Sequence, residues 1–256
     1  MHKTSYPEKP RKGYMTVRYN RILLKLSGEA LAGGKSGGFD DATLSYVASE
    51  IKELTTSGVQ IAVVVGGGNI FRGMPAEGKG FDRSAADDIG MLATCINSLM
   101  VRAVLVAAGV PAVVMSAFSM DKVAELFVKE TAESYLSAGQ VVIIAGGTGN
   151  PFFTTDTAAA LRCAELGCQV LLKATKVDGI YSDDPVKNPS AQRYTEISYR
   201  DAIDRNLKVM DMTAFSFCME QEIPIIVFKF SERGNLRKAV DGVAVGTIVK
   251  KEQRSV

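Results

Sequence analysis

The sequence predicts an α/β protein built around a central, largely parallel sheet. Short apolar, β-branched runs alternate with helix-period segments from residue 21 to about 173, the order of parallel strands joined by crossover helices. The runs are apolar at nearly every position, as strands covered on both faces must be. Successive helical segments end at a glycine just ahead of the next strand, where a left-handed C′ residue closes a helix without a Cβ clash.

Strands are expected at Ile22 to Leu26, Val59 to Val65, Pro111 to Met115, Gln140 to Ala145 and Gln169 to Lys173. Between the first two, Leu44, Val47, Ile51 and Leu54 share one helical face, with Asp40 or Asp41 able to cap its start and Gly58 its end. Ser84 to Gly109, Asp121 to Gly139 and Asp156 to Gly167 repeat that plan. After Lys173 the texture changes. Asp-Gly, Asp-Pro and Asn-Pro in "ATKVDGIYSDDPVKNPSAQRYTEIS" predict an excursion or hairpin over one end of the sheet. Helices near Arg200 to Asn206 and Thr213 to Glu222, with strands Ile225 to Lys229 and Thr247 to Val249, complete the chain. Residues 1–19 read as a loose basic tail with Met15 as an alternative start, 20–250 as a single domain, and 251–256 as a C-terminal tail.

Composition excludes several function classes. Thirty Lys and Arg against 28 Asp and Glu leave no charge footprint for a nucleic acid or a membrane surface. The four cysteines, Cys95, Cys163, Cys168 and Cys218, have no C-x-x-C spacing and lie in apolar or helical contexts, which predicts buried thiols in a reducing cytoplasm. His2 is the one histidine, so neither a His-based zinc site nor a Ser-His-Asp triad can be assembled. The N-terminal tail has basic residues and prolines but no apolar h-region. The apolar tract from Ala103 is broken at Gly109-Val110-Pro111, too short to span a bilayer.

The chemistry concentrates in three glycine-rich segments that follow three predicted strands: "KLSGEAL", "VVVGGGNIFRG" and "IIAGGTGNPFFTTD". In a parallel sheet these turns emerge together at the C-terminal edge, where ligands bind. Glycine lets main-chain N–H groups approach phosphate oxygens, and the helices that follow direct their positive ends at the same charge. Lys25 interrupts an apolar strand on the face opposite Leu24 and Leu26, so its ammonium requires an anionic partner or a transferring phosphate. Arg72 can grip a phosphate bidentately, and Asp87 and Asp88 stand near a helix start.

Competing fingerprints fail. "GEALAGGKS" misses the Walker A spacing by one residue, and no glycine set after a strand fits G-x-G-x-x-G, because positions 71 and 152 are Phe. A site of Lys, Arg, Asp, Thr and glycine loops without histidine suits transfer to an acceptor that is already anionic, since such an acceptor needs no general base.

With these residues in view, the chain resembles the bacterial-type uridylate (UMP) kinases of the amino acid kinase superfamily over about residues 20 to 250. The blocks that carry the resemblance are "RILLKLSGEAL", "VVVGGGNIFRG", "AGGTGNPFFTTDTAAALRCAE", "LLKATKVDGIYSDDP" and "LKVMDMTAF". The resemblance implies a three-layer α/β/α sandwich, an amino acid kinase-like fold. It implies in-line transfer of the ATP γ-phosphate to UMP with magnesium, cytoplasmic location, homohexameric assembly, activation by GTP and inhibition by UTP.

Residue by residue, it implies that Lys25, Leu26, Ser27 and Gly28 form the first ATP-phosphate loop, with Lys25 stabilising the transition state. Gly68 and Arg72 would contact the phosphates, and Thr175, Tyr181 and Asp184 the ATP nucleoside. Gly67, Asp87 and the stretch Thr148, Gly149, Asn150, Pro151, Phe152, Phe153, Thr154 and Thr155 would bind UMP. Asp156 and Asp211 would orient Lys25 or help to place magnesium, whose ligands stay unassigned. Gly33, Gly34, Lys35, Ser36, Gly37 and Gly38 match the region linked to GTP activation. Two other readings remain: a kinase of the same fold with a carboxylate or carbamate acceptor, which "GTGNPFFTTD" opposes, and a non-catalytic oxyanion-binding protein, which Lys25, Arg72, Asp87 and Asp156 oppose.

Overall fold

Ile22, Leu23, Leu24 and Leu26 are fully buried in the first strand, β1 (Arg21–Leu26), and Lys25 is the one charge in its interior. That strand lies at the middle of the sheet. The computed structural model describes residues 17–71, 82–185, 187–207 and 210–252. Within them the chain runs through α1 (Gly28–Leu31), α2 (Asp41–Thr56), β2 (Gln60–Val65), α3 (Arg83–Ala107), β3 (Ala112–Ser116), β4 (Glu125–Leu126) and α4 (Lys129–Ser137). It continues through β5 (Val141–Ala145), α5 (Thr155–Glu165), β6 (Val170–Thr175), β7 (Glu196–Ser198), α6 (Tyr199–Asp204), α7 (Met212–Glu220), β8 (Ile225–Lys229), α8 (Asn235–Asp241) and β9 (Gly246–Lys250).

Among the described residues these strands form one nine-stranded sheet in the order β4-β3-β5-β2-β1-β6-β8-β9-β7. All its pairings are parallel except β8 with β9. The strand alternation splits the core in two. Ile22, Leu24 and Leu26 pack with α2, α3 and α8 on one face, through Leu44, Val47, Ile51 and Leu54 among others. Leu23 and Val64 pack with α4, α5, α6 and α7 on the other. The result is the three-layer sandwich, and Lys25 shares the Leu23 face beneath α5.

The glycine punctuation is observed: Gly58, Gly109, Gly139 and Gly167 follow α2, α3, α4 and α5 with φ of 80°, 79°, 78° and 58°. Asp40 caps α2, accepting from Thr43 N at 2.9 Å. One expectation is corrected. The helix predicted over Asp121 to Gly139 starts only at Lys129, because Val123 N and Ala124 N turn back to Met120 O and Phe127 N reaches Ser116 O at 2.8 Å. That diverts residues 120–127 to the edge of β3 as β4. The segment after β6 leaves the sheet as the expected excursion, and among the described residues Tyr181 and Arg193 form an antiparallel bridge within it. The short elements α1, β4 and α8 were not anticipated.

By length and composition alone α3 is long and apolar enough to cross a membrane. One side of it packs on α2, β2, β3 and β5, and Ile89, Leu92 and Ile96 on it are exposed. All four cysteines are buried, and burial followed by the Asp156 and Asp211 carboxylates pushes the Cys218 thiol up to about 12.

Candidate active site

β1 and β6 are neighbours in a register that sets Lys25 directly beside Lys173. Two ammonium groups on one face of adjacent strands repel, and a carboxylate resolves this. Asp156, in the first turn of α5, meets Lys25 Nζ at 2.9 Å through Oδ1 and Lys173 Nζ at 2.6 Å through Oδ2. All three side chains are nearly buried, at 12–13% exposure. Burial pushes the Asp156 carboxyl up, but the adjacent Lys25 and Lys173 charges reverse that and hold it below the usual carboxylate range. Burial dominates at Lys173 and lowers its ammonium from the ordinary value, Asp156 opposing. The three side chains together carry a net charge of plus one, with the Asp211 carboxylate close enough to act on Lys173.

Lys173 is a member of this cluster that the sequence reading did not single out. The signal was present: "LLK" occurs twice, at 23–25 in "LLKLSG" and at 171–173 in "LLKATK", each time breaking an apolar strand near its C-terminal end.

The glycine loops converge as expected. A Cβ on Gly28 would lie 2.5 Å from Gly66 O and 2.7 Å from Gly68 N, so the two turns approach this closely because residue 28 is glycine. Ser27 caps α1 by accepting from Ala30 N at 3.2 Å. A buried amide pair fixes the second loop: Asn97 Nδ2 donates to Gly66 O at 2.6 Å and to Asn69 Oδ1 at 2.7 Å. Asn69 Nδ2 donates to Gly38 O at 2.9 Å, and Gly38 N returns a bond to Asn69 O at 3.1 Å. The Gly33–Gly38 stretch is thereby tied to the loop of Gly66, Gly67 and Gly68. Lys35 turns on its own loop, Nζ donating to Phe39 O at 2.7 Å.

Beyond the ends of β2 and β5 opens a cavity of about 410 Å³. Gly67, Gly68, Asp87, Thr148, Asn150, Phe153, Thr154 and Thr155 border it, which gathers most of the predicted acceptor residues in one place. Thr94 Oγ1 accepts from Gly146 N at 2.9 Å and fixes the third glycine turn to α3. Asp87 Oδ2 accepts from Phe152 N at 2.8 Å; Phe152 sits at φ 73°, a conformation rare outside glycine that this bond helps to hold. Thr154 caps α5, accepting from Asp156 N at 3.1 Å, and its hydroxyl donates to Asp211. Asp211 also caps α7 and accepts from Thr157 Oγ1 at 3.2 Å, so it braces the turn that carries Asp156.

On the opposite side of the lysines, beyond β6 and β8, lies a second cavity of about 530 Å³ bordered by Thr175, Tyr181 and Asp184. Arg72 lies outside the described residues. Among the described residues no group of three or more His, Cys, Asp and Glu is arranged to hold a metal ion. The two carboxylates near the lysines are already engaged, Asp156 by the ammonium groups and Asp211 by threonine hydroxyls.

Comparison with known proteins accords with this geometry. The amino acid kinase family profile matches residues 20–229. The chain is 52% identical over 233 residues to a uridylate kinase of Parabacteroides distasonis, covering 91% of this chain and 99% of that protein. It is 49% identical over 234 residues to the chloroplastic uridylate kinase PUMPKIN of Arabidopsis thaliana, covering 91% of this chain and 69% of the plant protein. The crystal structure of UMP kinase from Bacillus anthracis superposes with a TM-score of 0.89 at 39% identity, covering 92% of this chain and 97% of that one.

Proposed function

Because the chain belongs to the amino acid kinase family and, within it, to the uridylate kinases, we propose that its two cavities hold the partners of one in-line transfer. UMP occupies the cavity beyond β2 and β5, ATP the cavity beyond β6 and β8, and the products are UDP and ADP. The observation that carries this reading is the position of the Lys25–Asp156–Lys173 cluster, on the strands that separate the two cavities.

Phosphoryl transfer spreads negative charge over the equatorial oxygens while the attacking and leaving oxygens stand in line. Lys25 meets that charge, and Lys173 adds a second ammonium beside it. Asp156 keeps both at fixed separation, so that little reorganisation is required as the charge moves. Main-chain N–H groups at Ser27, Gly28 and Gly68, with Arg72, hold the phosphates of ATP. Gly67, Asp87, Thr148, Asn150 and Thr155 hold UMP, with Asp87 at the ribose hydroxyls, and Thr175, Tyr181 and Asp184 receive the ATP nucleoside. The acceptor phosphate is already ionised, which is why no general base is needed.

Magnesium would accompany ATP in this reading, because it favours phosphate oxygens and water over an all-protein cage, and it would supply charge neutralisation for the transferring phosphates. With Asp156 and Asp211 engaged, the described residues supply the phosphates with lysine and backbone contacts and leave the ion to the nucleotide.

Regulation and assembly extend the proposal. The bonds between Gly38 and Asn69 would let a GTP-responsive Gly33–Gly38 loop act on the UMP cavity, with UTP opposing. Exposed Ile89, Leu92 and Ile96 form one stripe along α3, an apolar face suited to self-association in a homohexamer. Buried free thiols suit a reducing cytoplasm. The test is a coupled assay with ATP, magnesium and each nucleoside monophosphate in turn. UMP is the expected acceptor; equal rates on CMP and UMP, or none on UMP, would overturn the reading.

A further inference from the structure

The segment after β6 carries a hydrogen-bonded chain with no part in the transfer chemistry. Tyr181 Oη donates to Asp178 Oδ1 at 2.8 Å. Arg193 Nη1 donates to Asp178 Oδ2 at 3.0 Å and to the Asp178 carbonyl at 3.1 Å. The backbones of Tyr181 and Arg193 form an antiparallel bridge, flanked by Tyr194 N to Ile180 O and Ser182 N to Gln192 O, each 2.9 Å. The tyrosine is therefore held at both ends, its Cα by the bridge and its hydroxyl by Asp178.

The local sequence makes this possible. A Cβ on Gly179 would lie 2.7 Å from Thr247 Oγ1 and 2.9 Å from Arg193 Cδ, so glycine there lets the arginine stem cross the chain. The fully buried Thr247 accepts from Ile180 N at 2.8 Å and pins the segment to β9.

The ring of Tyr181 borders the cavity of about 530 Å³; Asp178 and Arg193 do not. Their ion pair is over a third exposed on both sides taken together, at 39% and 34%, and pairs so open to water contribute little to stability. Its evident effect is to remove the rotational freedom of the tyrosine. We propose that Asp178 and Arg193 are positioning residues that set the Tyr181 ring as a wall for the nucleoside of the phosphoryl donor, an assignment that rests on the reading of this cavity as the ATP site. A wall ordered in advance lowers the entropy lost on binding, so its influence falls on nucleotide affinity rather than on the transfer step.

Calorimetric titration with ATP, and steady-state kinetics, test this on the full-length protein. Tyr181→Phe and Asp178→Ala should each raise KM for ATP about three- to tenfold, the effect of one lost hydrogen bond. The double variant should be no worse than the poorer single one, because both remove the same bond. Turnover and KM for UMP should stay within about twofold of wild type in Asp178→Ala. Arg193→Lys, which keeps the charge but loses the fork, should fall between wild type and Asp178→Ala. Additive effects in the double variant, a parallel rise in KM for UMP, or an unchanged KM for ATP in Tyr181→Phe would overturn the assignment. Tyr181→Phe keeps the ring and stands alone if Asp178→Ala folds poorly. Wild-type protein that binds no adenine nucleotide overturns the reading of the cavity itself; wild type and variants that bind ATP equally well overturn the positioning role alone.

Discussion

The two cavities are built from different materials. The side proposed for the acceptor is fixed by buried polar groups: Asn97, 0% exposed, with Asn69 and Thr94 locks the glycine turns, and the start of α5 borders the cavity. The donor side is held by turns and by charges open to water, among them Asp183, which accepts from Asp184 N at 2.8 Å and Asn188 Nδ2 at 2.9 Å, and the Asp178–Arg193 pair. A buried polar group that loses its partner incurs its full desolvation penalty, whereas an exposed one turns to water. Damage to the acceptor side should therefore lower stability and activity together, and damage to the donor side should weaken nucleotide binding in a protein that stays folded.

The largest effect belongs to the cluster between the two sides. Lys25→Ala should lower turnover by about 10²–10³, the range for removing a charge-stabilising donor, with UMP affinity by calorimetry changed little. Unchanged turnover would remove Lys25 from the mechanism. Next comes the acceptor side. Asn97→Leu strands Gly66 O and the Asn69 amide in a dry interior, and should destabilise the fold by about 2–4 kcal/mol while raising KM for UMP. A variant with wild-type thermal stability would break the contrast between the two sides.

The cluster also sets an acid limit. The folded Asp156 carboxyl lies below its unfolded value of 3.8, so its contribution is fully present above that pH and is lost as pH falls through the lowered folded value. Acid unfolding followed by circular dichroism should begin below about pH 4, and Asp156→Asn, already lacking the ionised carboxylate, should show a shallower acid limb. An identical acid limb in the variant would dissociate Asp156 from this transition.

How far the sequence could be read divides along the same boundary. The strands of the sheet center, the capped helices and the three converging turns follow from apolar runs, Asp40 and glycines, because each is specified by residues close in sequence. Lys25 was legible for the same reason. Lys173, which satisfies the same criterion, became meaningful only through its register with Lys25, a fact of pairing across 148 positions of chain. The Asn69–Asn97 clamp is equally non-local, since an asparagine inside an apolar helix carries no mark of its partner. Asp211, expected to orient Lys25 or help to place magnesium, caps α7 and bonds Thr154 and Thr157 of the α5 start, links that no local pattern in the sequence reveals. The 120–127 segment misled because its apolar spacing suits a helix as well as an edge strand with exposed Val123 and Leu126.

The smallest expected effect is the sharpest test of the contrast, because it concerns a pair that looks important. Lys176 Nζ lies 3.5 Å from Glu29 Oε2 and joins the turn after β6 to the helix after β1, spanning the site's C-terminal edge. Both side chains are well exposed, at 70% and 41%, and water and salt screen such pairs. Lys176→Ala should accordingly shift Tm by less than about 1 °C, and the shift should vanish in roughly 0.5 M salt. A loss of several degrees that persisted in salt would mean that the donor side depends on this bridge as the acceptor side depends on Asn97, and the distinction between the two halves would then fail at the point where they meet.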